Sequence, residues 1–99
     1  MATLFRAMCE REFTETMKFK SLSWNSRFKW FGTEEFVTTR VQDGKFNNSE
    51  FVGDRYSRLV KFEIDDSFLW IFAKCGRREF MIDRRKAPLV RFSSIEEVI

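Results

Sequence analysis

The alternation over residues 56–64 limits the folds open to this chain more than any other feature. Tyr56, Val60, Phe62 and Ile64 fall on one side of an extended segment, with Lys61 and Glu63 on the other. That is the pattern of a strand with one face on a core. After the turn-forming Asp65-Asp66-Ser67, residues 68–73 (Phe-Leu-Trp-Ile-Phe-Ala) are apolar throughout. They read as a strand covered on both faces, which would bury Trp70 and Phe72 together with Val60 and Phe62. Cys75-Gly76 reads as a turn. Residues 79–82 and 89–92, the latter just after Pro88, are further strand candidates. Ser94 and Glu97 match a capping box, and a final strand ending at Ile99 is the alternative.

The first half reads differently. Residues 3–8 predict a strand, and Glu10–Phe19 a short helix in which Phe13 and Met17 stand at i, i+4 while Glu10 and Glu12 suit the positive N-terminal dipole. Residues 21–27 read as polar loop and 28–31 as a strand. Gly32-Thr33 marks a break, with Thr33 a fitting N-cap for a helix that carries Glu34 and Glu35 in its first turn. Phe36, Val37, Arg40 and Val41 follow at helical spacing, and Gly44 suits the C′ position. Residues 45–54 form a turn-rich loop whose Phe46 and Phe51 suggest that it packs down. Two early helices followed by strands predict one α+β domain over residues 1–99, with a small, antiparallel-rich, twisted sheet.

Ninety-nine residues make about one domain, and 17% aromatic residues, 13 of them Phe, argue for a folded chain. No apolar run reaches the roughly 18 residues that span a bilayer. The N-terminus has no signal-peptide h-region, so the chain reads as cytoplasmic and without a membrane partner. Cys9 and Cys75 are too few for a disulfide scaffold and read as reduced, buried thiols.

The sequence has no histidine. This removes Ser-His-Asp and Cys-His nucleophiles, His-based ribonuclease chemistry and His-ligated metal sites, and no metal is expected. There is no phosphate-cradling Walker lysine motif and no dinucleotide glycine fingerprint. Catalysis would have to rest on carboxylates, hydroxyls, Tyr56, the thiols or arginine.

Charge is unevenly placed. Residues 1–73 balance 11 Lys/Arg against 11 Asp/Glu, whereas residues 74–91 carry Lys74, Arg77, Arg78, Arg84, Arg85, Lys86 and Arg91 against only Glu79 and Asp83. Arg77, Arg78, Arg84 and Arg85 are the candidates for holding phosphate, an anionic cofactor or an acidic partner. A solvated hairpin face is the alternative. Basic–aromatic neighbours such as Arg27-Phe28-Lys29-Trp30 and Arg91-Phe92 would suit nucleic acid if exposed and core packing if not. Trp30 and Phe31, being adjacent in a strand, must point to opposite faces.

Leu4-Phe5-Arg6-Ala7-Met8, followed by Cys9-Glu10 and the acidic helix, resembles the opening of ADP-ribosyltransferase-like toxin domains carried by bacterial polymorphic toxins. Those domains show Ser-Glu at the helix start. Lys29-Trp30-Phe31-Gly32-Thr33-Glu34-Glu35 resembles their strand-to-helix junction, and residues 56–65 resemble their next strand. The likeness spans roughly residues 4–65. It implies an ADP-ribosyltransferase-like fold that binds NAD or a related nucleotide, with Arg6 on the pyrophosphate through its bidentate fork. Trp30 or Phe31 would wall the nicotinamide, and Thr33 would lie near the ribose. The family's late catalytic glutamate has no matching motif here, and Glu79 is the best candidate for it.

Three functions fit these readings. One is an ADP-ribosyltransferase-like toxin or effector domain, active or degenerate. Another is a non-enzymatic inhibitor, phage- or mobile-element-encoded, that binds an acidic protein, nucleotide or RNA through its basic C-terminal half. The last is a metal-free ribonuclease-like toxin using Arg, Lys and Tyr56. A start at Met1 favours a stand-alone inhibitor or a free toxin paired with an antidote, and a host protein is a further candidate partner.

Overall fold

The computed structural model describes residues 1–43 and 54–98. Gly44 and the loop carrying Phe46 and Phe51 lie outside the described residues. The order of elements is β1 (Ala2–Met8), α1 (Glu10–Phe19), β2 (Phe28–Gly32), α2 (Glu34–Asp43), β3 (Arg58–Ile64), a 3-10 turn (Asp66–Ile71), β4 (Ala73–Lys74), β5 (Glu79–Asp83), a second 3-10 turn (Arg84–Leu89) and β6 (Phe92–Glu97). The strands form one antiparallel sheet in the order β4-β5-β2-β1-β3-β6. This is a small α+β domain, as the order of periodicities predicts.

The sheet is the middle layer. On one face Leu4, Met8, Phe31, Val60, Phe62, Ile64, Ile82 and Ile95 form the main core. Phe13 and Met17 of α1, and Phe68, Leu69 and Ile71 of the first 3-10 turn, close over it. Phe31 meets Phe62 and Phe72 edge to face at 5.2 and 5.4 Å, an arrangement that adds to the area buried. On the other face Phe5 and Ala7 pack with Val37 of α2, flanked by Phe36, Val41 and Leu59. Tyr56 joins this second cluster. The expectation that it shares a face with Val60 therefore fails, because β3 begins only at Arg58.

Residues 68–73 do not form the expected strand. The Asp65 carboxylate accepts from Ser67 N at 2.9 Å and caps a 3-10 turn. With three residues per turn, Phe68 and Ile71 fall on the core side while Trp70 stands 68% exposed. Phe72 is buried as expected; Trp70 is not. A second correction is of the same kind. Asp83 accepts from Arg85 N at 2.9 Å and caps the Arg84–Leu89 turn, which contains Pro88, so the last strand starts at Phe92 instead of Leu89 and takes up the Ser94–Glu97 segment. Cys9 is buried, but Cys75 is only half-buried.

β1 pairs with β3 over its whole length, Ala2 opposite Ile64 to Met8 opposite Arg58. Against β2 it has a single register pair, Phe5 opposite Gly32. A side chain adds a second link between these strands: Arg6 Nη1 donates to Trp30 O at 2.8 Å. Gly32 is fixed by close approach, since a Cβ there would lie 2.8 Å from Arg78 O and 2.9 Å from Val37 Cγ2.

Candidate functional site

Arg6 follows the β1 alternation onto the main-core face, where α1 lies above it. Its Nε and Nη2 donate to Glu12 Oε2 and Oε1 at 2.7 and 3.0 Å. Lys29 Nζ, fully buried, donates to the same Glu12 Oε2 at 2.9 Å. Burial pulls the Glu12 carboxyl upward, but the Arg6 guanidinium and the Lys29 ammonium outweigh it and hold the group below the ordinary carboxylate range. Glu12 sits above Arg6 because α1 starts immediately after β1, with Cys9 at its N-cap accepting from Glu12 N at 3.5 Å. Burial raises the Cys9 thiol, so it is held as a neutral cap.

The expected nucleotide cleft is therefore different from its sequence reading. Arg6, Trp30, Phe31 and Glu79 do line one crevice between β1 and the strand-to-helix junction, but it holds about 20 Å³, room for about one water molecule. The Arg6 fork that the resemblance assigns to pyrophosphate is engaged by Glu12 instead. Thr33 does not line the crevice; its Oγ1 accepts from Phe36 N at 3.4 Å and caps α2. Phe31 is core and Trp30, on the opposite face, is 43% exposed.

The basic residues separate into two groups. Arg77 and Arg78 are exposed in the β4–β5 turn. Arg84 and Arg85 lie at the other end of that hairpin, in the second 3-10 turn. Arg85 is engaged by Asp83 through Nη2 at 3.1 Å, which lowers the Asp83 carboxyl to about 2. Arg84 faces a groove of about 560 Å³ between the loop after α1 and the 3-10 turn leading into β6.

Three exposed cations rim this groove: Lys20, Arg84 and Arg91. None of the three makes an ion pair or side-chain hydrogen bond among the described residues. Leu22, Trp24, Val90 and Phe92 give it an apolar, partly aromatic floor. Lys29 Nζ lies 5.5 Å from the Trp24 ring centroid, so the buried ionic cluster supports the ring through a cation–π contact. Lys20 closes α1 in the left-handed conformation, φ 51° and ψ 37°, and is the only non-glycine residue with positive φ among the described residues. Lysine holds this conformation at a cost that glycine escapes, and strain of this kind gathers at ligand sites.

Sequence reasoning picked out Arg84 and the Arg91-Phe92 pair but passed over Lys20 and Trp24, which fall in or beside a segment read as polar loop. The signal available was a tryptophan in an otherwise hydrophilic stretch. Among the described residues there is no cluster of three His, Cys, Asp or Glu side chains able to hold a metal, and no helix is long and apolar enough to cross a membrane. Compared with protein-family models, with curated proteins and with solved structures, the chain finds no match in any of the three.

Proposed function

We propose that this chain is a binding domain for a phosphate-bearing ligand of the nucleotide class, held in the groove between Lys20–Trp24 and the Arg84–Phe92 segment without chemical conversion. One observation carries the reading: three cations without an ion pair among the described residues converge on an apolar, aromatic-floored groove, whereas Arg6, Lys29, Arg58 and Arg85 are all neutralised by carboxylates. Cations left unpaired around a partly dry concavity favour phosphate oxygens, and Trp24 offers a face for a base. The reading corresponds to an inhibitor or effector that works by occupancy.

The test is thermal unfolding with ADP, UDP, NAD and inorganic pyrophosphate. A ligand at 100 times its Kd stabilises the native state by about 2.7 kcal/mol. Arg84→Glu with Arg91→Glu should abolish the shift while leaving the unliganded melting temperature nearly unchanged. No shift with any of the four would end the proposal.

A second reading keeps the ADP-ribosyltransferase-like domain. It is favoured by the shared crevice of Arg6, Trp30, Phe31 and Glu79, which would have to open by releasing Arg6 from Glu12 before NAD could enter. Under that reading NAD is consumed, and Glu79→Gln stops turnover while NAD affinity is retained. NAD left intact by the wild-type chain would exclude it.

A further inference from the structure

The groove is not the only aromatic surface beside these cations. The hairpin register sets Ala73 opposite Met81, so the segments that leave its open end, the first and second 3-10 turns, emerge side by side and pack against one another. Each turn keeps a large apolar side chain in water: Trp70 is 68% and Leu89 is 53% exposed. An indole this open contributes little buried area to the packing around it. Trp70 thus stands on a turn packed against the one that carries Arg84, the residue that also rims the groove.

The carboxylates of the same two turns are engaged locally. Asp65 caps Ser67 N, Asp66 meets the N-terminal amine at 3.3 Å, and Asp83 holds Arg85 while also reaching Arg27 at 3.3 Å. Arg84 and Lys86 remain exposed and make no ion pair among the described residues. The surface thus offers one aromatic platform in the groove (Trp24), a second outside it (Trp70), and, on the turn that borders both, cations without an ion pair among the described residues.

We propose that the ligand is a single-stranded RNA segment, with one base on Trp24, a neighbouring base on Trp70 and the intervening phosphates on Arg84 and Lys86. The proposal rests on the groove reading above and extends it from a mononucleotide to a strand. Single strands suit such a surface because every base has a stackable face while the backbone needs only positive charge. An acidic polypeptide would satisfy the cations but leave both rings unused.

The experiment compares fluorescein-labelled octauridylate, UDP and poly-glutamate by anisotropy and competition at fixed salt, on wild type and Trp70→Ala. Octauridylate should bind at least tenfold more tightly than UDP. Trp70→Ala should weaken octauridylate by about tenfold, within the range for one stacked base, and leave UDP unaffected. Trp70→Phe should restore most of the octauridylate affinity. If UDP binds and octauridylate gains nothing, or if Trp70→Ala is silent, the strand proposal fails and the groove reading stands. Poly-glutamate binding as tightly as octauridylate identifies the surface as a docking site for acidic protein instead. If neither UDP nor octauridylate binds, both readings fall together.

Discussion

Lys20 offers a substitution whose two consequences have opposite signs. Its backbone sits at φ 51° and ψ 37° as the C-cap of α1, where an L-residue with a Cβ is disfavoured by about 1–2 kcal/mol and glycine is not. Lys20→Gly removes that strain but gives the unfolded chain more freedom, an opposing effect of about 0.5–1 kcal/mol. The side chain is exposed and makes no ion pair among the described residues, so its loss removes no native contact of consequence. The net expectation is a gain of up to about 1 kcal/mol, seen as a rise of about 4–8 °C for a domain of this size. In the same variant the groove loses one of its three cations, so UDP should bind more weakly and with a shallower salt dependence. Differential scanning calorimetry and a titration at two ionic strengths read both effects on one sample. A variant that melts lower and binds UDP as well as the wild type would refute the argument at both ends: the conformation would carry no strain and the lysine would hold no ligand.

Glu12→Gln should destabilise the domain by about 3–5 kcal/mol, because it leaves the Arg6 and Lys29 charges buried without their counterion; urea unfolding measures it. The wild type should lose stability as pH falls through and below the ordinary carboxylate range. Glu12 and Asp83 both have folded pKa values below their unfolded ones, so their contribution is complete above the unfolded value and disappears as the folded forms protonate, for Asp83 at about pH 2. Glu12→Gln should flatten that acid limb. Gly32→Ala should cost about 1–3 kcal/mol, since the new Cβ meets the Arg78 carbonyl that Thr33 N uses at 3.1 Å. Thr16 Oγ1 is buried without a partner among the described residues, so Thr16→Val should raise stability by about 1 kcal/mol; a loss would reveal a partner for the hydroxyl.

Elements whose boundaries depend on local signals were legible in the sequence. α1 runs over the predicted residues, and α2 begins after Thr33, because caps and helix dipoles act within one turn. β3 follows from its alternation, since a strand sandwiched edge to edge between β1 and β6 must keep one face dry. The run at 68–73 was misread because unbroken apolarity does not distinguish a doubly covered strand from a tight turn lying on the core. What decides it is the Asp65 cap on Ser67 N, which makes Asp-Asp-Ser the start of a 3-10 turn and not a turn ahead of a strand. Pro88 misled similarly: it sits inside a 3-10 turn capped by Asp83, where its fixed φ is tolerated.

The ionic cluster shows why the site itself was harder to read than the fold. The resemblance gives Arg6 a phosphate and the basic–aromatic run leaves Lys29 open to surface or core, yet both end on one carboxylate contributed by α1. The helix did carry a hint. Glu12 and Thr16 repeat at i, i+4 directly beside Phe13 and Met17, so a stripe wide enough to cover a sheet must include the glutamate. A buried carboxylate then requires cations from whatever strands lie beneath, and the only strand residues of that kind on the main-core face of β1 and β2 are Arg6 and Lys29. With Glu12 holding both, Arg6 also reaches Trp30 O on β2, and Lys29 sits against the Trp24 ring. The residues that resemble a phosphate site thus build the support of a neighbouring groove. The cations that rim that groove, Lys20, Arg84 and Arg91, are ones the buried carboxylate does not engage.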